Sequence, residues 1–209
     1  MSVTTQQQHS QADVFNLPNQ VTSARLLLSI VLFVLIDLQF FLTSCVLFVV
    51  AASTDWLDGY FARKYGMITV LGRILDPFVD KVIVCGSFIF LVVLPESGIA
   101  AWMAVIVVAR ELLVTALRSF LEQQGADFSA SMTGKLKMVM QCVAVAVSLY
   151  FISYMRTNHL ANMSDAPAWL WWTLQLSVYT AVILTVLSGV VYVRAAIRLV
   201  RIPEHSPEQ

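Results

Sequence analysis

Charge is scarce in this chain. Only 12% of its 209 residues are Asp, Glu, Lys or Arg, about half the share of a soluble domain, while 58% are hydrophobic. Mean hydropathy is positive. An ordinary soluble globule is excluded, and an integral membrane protein of one domain is expected. No run of basic residues forms a face for nucleic acid, so no nucleic-acid partner is expected. Cysteine is sparse as well: Cys45, Cys85 and Cys142 each sit inside an apolar run, which speaks for small core residues and against a disulfide framework or a thiolate metal site. The three histidines, His9, His159 and His205, fall in tails or a loop, so no imidazole stands among the apolar segments for catalysis. The first twelve residues are mostly polar without a lysine or arginine, and apolar sequence starts only near Leu26, unlike a secretory signal. There is no internal repeat. The chain divides into a polar tail over 1–12, a membrane domain over 13–201 and a short tail over 202–209.

What is present is grease with charge at chosen places. A helix crosses the hydrocarbon core in roughly 20 residues. Six candidate spans follow, at about 21–37, 39–63, 70–95, 98–122, 133–155 and 168–199. The first two are joined by a tight turn at Asp37–Gln39. Before them, "NLPNQVTSAR" reads as an interfacial lead-in, with Pro18 breaking the chain and Asn19 or Thr22 able to cap a helix. The expected fold is therefore an all-α integral membrane protein of six transmembrane helices with an N-terminal interfacial segment. With the amino end inside, twelve basic residues fall on the inner side and only Arg156 on the outer. Trp102, Trp169, Trp171 and Trp172 then form an aromatic belt at the outer boundary.

Against this background "STDWLDGYFARKYGMITVLGRILDPFVDK" stands out. Asp55 and Asp58, three apart, stand about 60° and roughly 4.5 Å from each other on a helix. Gly59 and Ala62 continue that face with almost no side chain, leaving a notch for something bulky. Gly72, Asp76 and Asp80 are spaced by four and stack as one stripe on the next helix. If the two faces meet, four carboxylates converge at the cytoplasmic side. Four charges so close repel strongly at the membrane edge, so either some are protonated or cations neutralise them. Two divalent ions would balance them. An all-oxygen donor set favours hard ions, Mg²⁺ first and Mn²⁺ next. Such a pair suits phosphoryl or pyrophosphate chemistry, and Arg63, one turn beyond Gly59, can take a phosphate oxygen. Helix-end charges paired with Arg63, Lys64, Arg73 and Lys81 are the plain alternative, but that does not account for the stacking.

The pattern Asp55-x2-Asp58-Gly59-x2-Ala62-Arg63-x8-Gly72-x3-Asp76-x3-Asp80 resembles the signature of the CDP-alcohol phosphatidyltransferase family at every fixed position. The resemblance implies a six-helix membrane bundle, usually a homodimer, that cleaves a CDP-linked lipid and passes the phosphatidyl group to an alcohol. It implies metal binding by Asp55, Asp58 and Asp76. Asp80 would be a further ligand and the base, while Asp58, Gly59, Ala62, Arg63 and Gly72 would contact the CDP-diacylglycerol. "STDWLDGYFARK", "ARELLVTALRSF", "GKLKMVMQ" and "PNQVTSAR" are similar to the branch of the family whose acceptor is sn-glycerol 3-phosphate. In that branch Asn19, Thr22 and Arg25 match the lead-in segment. Met138 and "SGVVY" depart from its usual residues.

The residues themselves favour an anionic acceptor. Arg110 and Arg118 lie about 12 Å apart along the fourth helix, with Arg118 expected to face Lys135 and Lys137 across the loop 122–133. Arg110 lies deeper in its span beside Glu111, where buried charge marks a site. Such a cluster suits a phosphate-bearing alcohol. Gln141, one turn after Lys137, is placed either to hydrogen-bond the acceptor or to face a neighbouring helix. The expected reaction is transfer of a phosphatidyl group from CDP-diacylglycerol to glycerol 3-phosphate at an inner cell membrane, with the site facing the cytoplasm and Asp80 taking the hydroxyl proton. Rival readings are another acceptor on the same scaffold (inositol phosphate, serine or phosphatidylglycerol), a prenyl-diphosphate aromatic transferase, and a channel or transporter.

Overall fold

The computed structural model describes the backbone of residues 17–65, 70–123 and 132–201, and the side chains of 23–53, 78–79, 81–120, 134 and 136–197. Within these residues there are six α-helices and no strand: α1 (Leu17–Asp37), α2 (Phe41–Tyr65), α3 (Val70–Val92), α4 (Ala101–Gln123), α5 (Met132–Thr157) and α6 (Ala168–Arg201). Single 3₁₀ turns at Pro95–Ser97 and Met163–Asp165 precede α4 and α6. The helices agree with the six apolar stretches of the sequence to within a few residues. The third stops earlier than expected, at Val92, because Pro95 opens a 3₁₀ turn.

The start of α1 corrects one expectation. The helix already runs at Leu17, so Asn19 and Thr22 lie inside it and are not caps. Pro18 falls in the first turn, where no intrahelical N–H is needed, and begins the helix instead of breaking the chain. The end of α1 is sharper than a simple loop. The Phe40 amide donates to the Leu35 carbonyl at 2.9 Å and the Gln39 amide to that of Ile36 at 3.0 Å, with Gln39 left-handed at φ 63°. The same closure ends α5: Leu160 donates to Met155, His159 to Arg156, and His159 has φ 52°. Both are double-bonded helix stops that normally use glycine.

Contacts close the helices into a ring in the order α1, α2, α5, α6, α4, α3, with α3 and α5 also touching across the middle. Phe33 of α1 stacks on Phe90 of α3 at 5.1 Å between ring centroids. Arg156 at the end of α5 pairs with Glu96 in the α3–α4 turn at 3.2 Å. Ser148 of α5 donates to the Ser97 carbonyl at 2.8 Å. These ties bring the α1–α2, α3–α4 and α5–α6 turns to one end of the bundle. Exposed Trp102, Trp169 and Trp172 mark that end. The C-terminal half of α2, the N-terminal halves of α3 and α5, and the C-terminal parts of α4 and α6 therefore share the other end.

Inside the ring, Leu32, Phe48, Phe88, Leu91, Val107, Leu149, Phe151, Ile152 and Leu174 are fully or almost fully buried. Several buried hydroxyls spend their hydrogen bonds within their own helices: Ser29 donates to Arg25, Ser87 to Ile83 and Thr185 to Ala181. This lets small polar residues occupy an apolar core without an unsatisfied group. The outward faces are apolar too, with Leu27, Val34, Val105, Leu112, Leu176 and Ile183 exposed. Among the described residues, Leu136–Thr157 and Ala168–Ile197 are long and apolar enough to cross a membrane. The three cysteines form no disulfide and are half-buried, in keeping with a packing role.

Candidate active site

Two groups of residues belong to helix segments at the end of the bundle opposite the tryptophans. The first is the acidic stretch. Asp55, Asp58, Gly59, Ala62 and Arg63 lie in the C-terminal half of α2, and Gly72, Asp76 and Asp80 in the N-terminal half of α3. Their helical backbone makes the three- and four-residue spacings real turns of helix, and α2 and α3 pack on the same two helices, α1 and α5. The side chains of all eight lie outside the described residues, as do those of Thr22 and Lys135. Among the described residues no group of three His, Cys, Asp or Glu could hold a metal. The carboxylates of this stretch fit a hard divalent ion by donor type and by helical spacing. Pro77 sits between Asp76 and Asp80 without ending the helix. Having no N–H, it leaves the carbonyl four residues earlier without its usual donor.

The second group joins α4, α5 and α6. Glu111 is its centre. Lys137 Nζ donates to Glu111 Oε1, and Arg110 Nη1 lies 3.3 and 3.4 Å from the two carboxylate oxygens. Arg110 Nη2 donates to Ser188 of α6. These three charged groups are almost wholly enclosed, at 9% exposure for Arg110, 8% for Glu111 and 5% for Lys137. Gly189 lets the Arg110 stem lie against α6, since a Cβ there would stand 3.2 Å from Arg110 Cγ. The Tyr192 ring takes both arginines on its π-face, Arg110 at 5.6 Å and Arg118 at 5.8 Å, and Arg118 Nη2 donates to its hydroxyl at 3.2 Å.

The predicted acceptor residues thus divide. Arg110, Arg118 and Lys137 do come together, through Glu111 and Tyr192. Arg118 bonds to Tyr192 of α6, whereas the sequence set it facing Lys135 and Lys137, the first of which lies outside the described side chains. Gln141, 1% exposed, donates to Thr185 Oγ1 at 2.9 Å, so it faces the neighbouring helix. Arg25 is buried and lines a small apolar pocket with Phe48, Ala51, Ile83, Val84 and Met138. Glu111, Ser188 and Tyr192 were not singled out as site residues. A signal was there. Thr185, Ser188 and Tyr192 recur at helical spacing along one face of an otherwise apolar segment.

Residues 15–187 match the CDP-alcohol phosphatidyltransferase family profile. The chain belongs to the CDP-alcohol phosphatidyltransferase family. It is 38% identical to a Bacillus subtilis (strain 168) CDP-diacylglycerol–glycerol-3-phosphate 3-phosphatidyltransferase over 152 residues, covering 65% of this chain and 77% of that one. A protein of the same name from Rickettsia bellii is 30% identical over 86% of this chain and 94% of its own. The Haemophilus influenzae protein of that name is 31% identical over 87% and 94%. The match takes in α1 to α5 and the first part of α6, so the acidic stretch and Arg110, Glu111, Arg118 and Lys137 lie within it, while Ser188, Gly189 and Tyr192 lie just beyond its end.

Proposed function

We propose that this protein transfers the phosphatidyl group of CDP-diacylglycerol to sn-glycerol 3-phosphate, releasing CMP and forming phosphatidylglycerophosphate for anionic phospholipid synthesis. The observation that carries the reading is the eight-position signature on two helices whose signature-bearing halves share a bundle end with Arg110, Arg118 and Lys137. Relatives named for this reaction, matched over most of their length, support it.

In this reading Gly59, Ala62, Arg63 and Gly72, with Asp58, hold the CDP moiety. Small residues admit the nucleotide close to the backbone and Arg63 takes a phosphate oxygen. Asp55, Asp58, Asp76 and Asp80 hold two divalent cations, Mg²⁺ or Mn²⁺, which when bound supply charge neutralisation for the diphosphate. Asp80 accepts the proton of the acceptor's primary hydroxyl. That oxygen bonds to the phosphorus next to the diacylglycerol as the bond from this phosphorus to CMP breaks. The acceptor phosphate docks at the cationic group, where Arg118, Lys135 and the Arg110–Lys137 pair meet it, with Thr22 and Arg25 on the α1 side and Gln141 holding α5 to α6.

All six helices cross the membrane in this proposal. The shortest has 21 residues, about 32 Å at the helical rise, and the exposed faces carry leucine, valine and isoleucine, which lipid solvates and water does not. The basic end faces the cytoplasm of the inner membrane, and the protein works as a homodimer.

Purified protein in detergent, given CDP-diacylglycerol and Mg²⁺, should release CMP only when glycerol 3-phosphate is added. Equal or faster CMP release with inositol phosphate, serine or phosphatidylglycerol would replace the acceptor assignment. Metal- and nucleotide-independent behaviour would replace the reaction class.

A further inference from the structure

Glu111 does more than fill a place beside Arg110. Its carboxylate meets two cations from two helices, Arg110 of α4 and Lys137 of α5, in a space nearly closed to solvent. Two positive charges against one negative leave this enclosed trio with an excess of one. Arg110 Nε is buried with no hydrogen-bond partner among the described residues, and the same holds for Arg118 Nε. Arg110 is already committed through its other nitrogens to Glu111 and Ser188, so the bare Nε is not a matter of a loose side chain. An enclosed ionic trio stabilises a fold poorly compared with apolar residues of the same volume, so stability alone does not account for it. Unsatisfied buried donors with surplus positive charge describe a site that lacks an anion.

We propose that Glu111 is the internal counter-anion of the acceptor site: a positioning residue that holds Arg110 and Lys137 together until a phosphate monoester supplies the remaining negative charge. It acts through those two cations and does not touch substrate. The identity of the alcohol carrying the phosphate rests on the function proposed above; the anion requirement does not. The design has a consequence for selectivity. A neutral acceptor such as glycerol brings hydroxyls but no charge, and leaves the trio's surplus uncompensated. With Arg118 sharing the Tyr192 ring the group carries two positive charges in excess, which a dianionic phosphate balances. Glu111 also prevents the opposite failure, in which two enclosed cations repel and splay apart whenever the acceptor is absent.

The test is thermal unfolding of the full-length protein in detergent, alone and with inorganic phosphate, glycerol 3-phosphate or glycerol. Glu111→Gln keeps the shape and removes the charge. Without anion its melting temperature should fall by about 10 °C, the effect of stranding buried cations in a chain of this size. Phosphate and glycerol 3-phosphate should recover more of that loss than they add to the wild type, because binding to the folded state is linked to stability. Glycerol should recover none of it. Lys137→Met covers the case in which Glu111→Gln does not fold. It leaves Arg110 and Glu111 as a neutral pair, so its phosphate-induced rise should be smaller than that of the wild type. An unaltered melting temperature in Glu111→Gln, an equal phosphate response in Glu111→Gln and wild type, or a Lys137→Met response matching the wild type would overturn the assignment. CMP release by the wild type is followed in parallel with glycerol 3-phosphate. Its absence would sink the acceptor reading while leaving the inorganic-phosphate comparison to judge Glu111.

Discussion

The two ends of this bundle are made of the same six helices and hold together in opposite ways. At the tryptophan end the turns are closed by backbone bonds, as at Leu35–Phe40 and Met155–Leu160, and charge stays at the surface: Asp37 and Asp165 are exposed and the Arg156–Glu96 pair is partly exposed. At the other end, charged side chains go inward: Arg110, Glu111 and Lys137 tie α4 to α5, with Ser188 and Tyr192 adding α6. The lesson is one of cost. Enclosed ions are expensive to keep, so a protein gathers them where they meet a ligand and not where a turn merely needs closing. The tryptophan end is built for shape, the charged end for chemistry.

Mutations at the two ends should separate along this line. Asp80→Asn makes the largest break: CMP release should fall about 10³-fold, the scale of removing a general base, while CDP-diacylglycerol still binds. Near-normal turnover in that variant would reassign the base. Arg118→Ala comes next. Losing a charged donor to the acceptor should raise the KM for glycerol 3-phosphate roughly 10- to 100-fold and leave the KM for CDP-diacylglycerol within about twofold. An equal rise in both would mean that Arg118 acts through the fold and not on the acceptor.

The opposite end should respond in stability and not in kinetics. Gly86 of α3 lies directly beneath the Phe33 ring of α1, so a methyl group there cannot be accommodated without moving the ring. Gly86→Ala should cost about 1–3 kcal/mol in unfolding with little change in acceptor KM. Arg156→Ala should be smallest, under about 1 kcal/mol, because its partner is partly exposed and solvent screens the pair. CMP release should not change. A kinetic defect in either variant would show that the two ends communicate and blur the comparison.

How much of this was legible in the sequence differs by element. The helices were, since a long apolar run has few alternatives to helix where water is absent. The placement of the acidic stretch on two helices was also legible, because Asp55, Asp58, Gly72, Asp76 and Asp80 lie close along the chain in segments with few turn residues. Thr22 illustrates the reverse: read as a cap, it lies inside a helix that starts at Leu17, since Pro18 serves equally well as a first-turn residue. Gln141 could be read two ways until Thr185, 44 positions later, turned out to accept its hydrogen bond.

Composition and spacing alone determined that this chain is helical and apolar outside, with its acids and bases gathered where α2, α3, α4 and α5 begin or end. Those are local properties, set by one residue's relation to the next few. The tertiary structure decided which charges meet. Glu111 faces Lys137 and Arg110 faces Ser188 because the ring order sets α4 against α6 and α6 against α5, and no periodicity within a helix encodes which neighbour it will pack on.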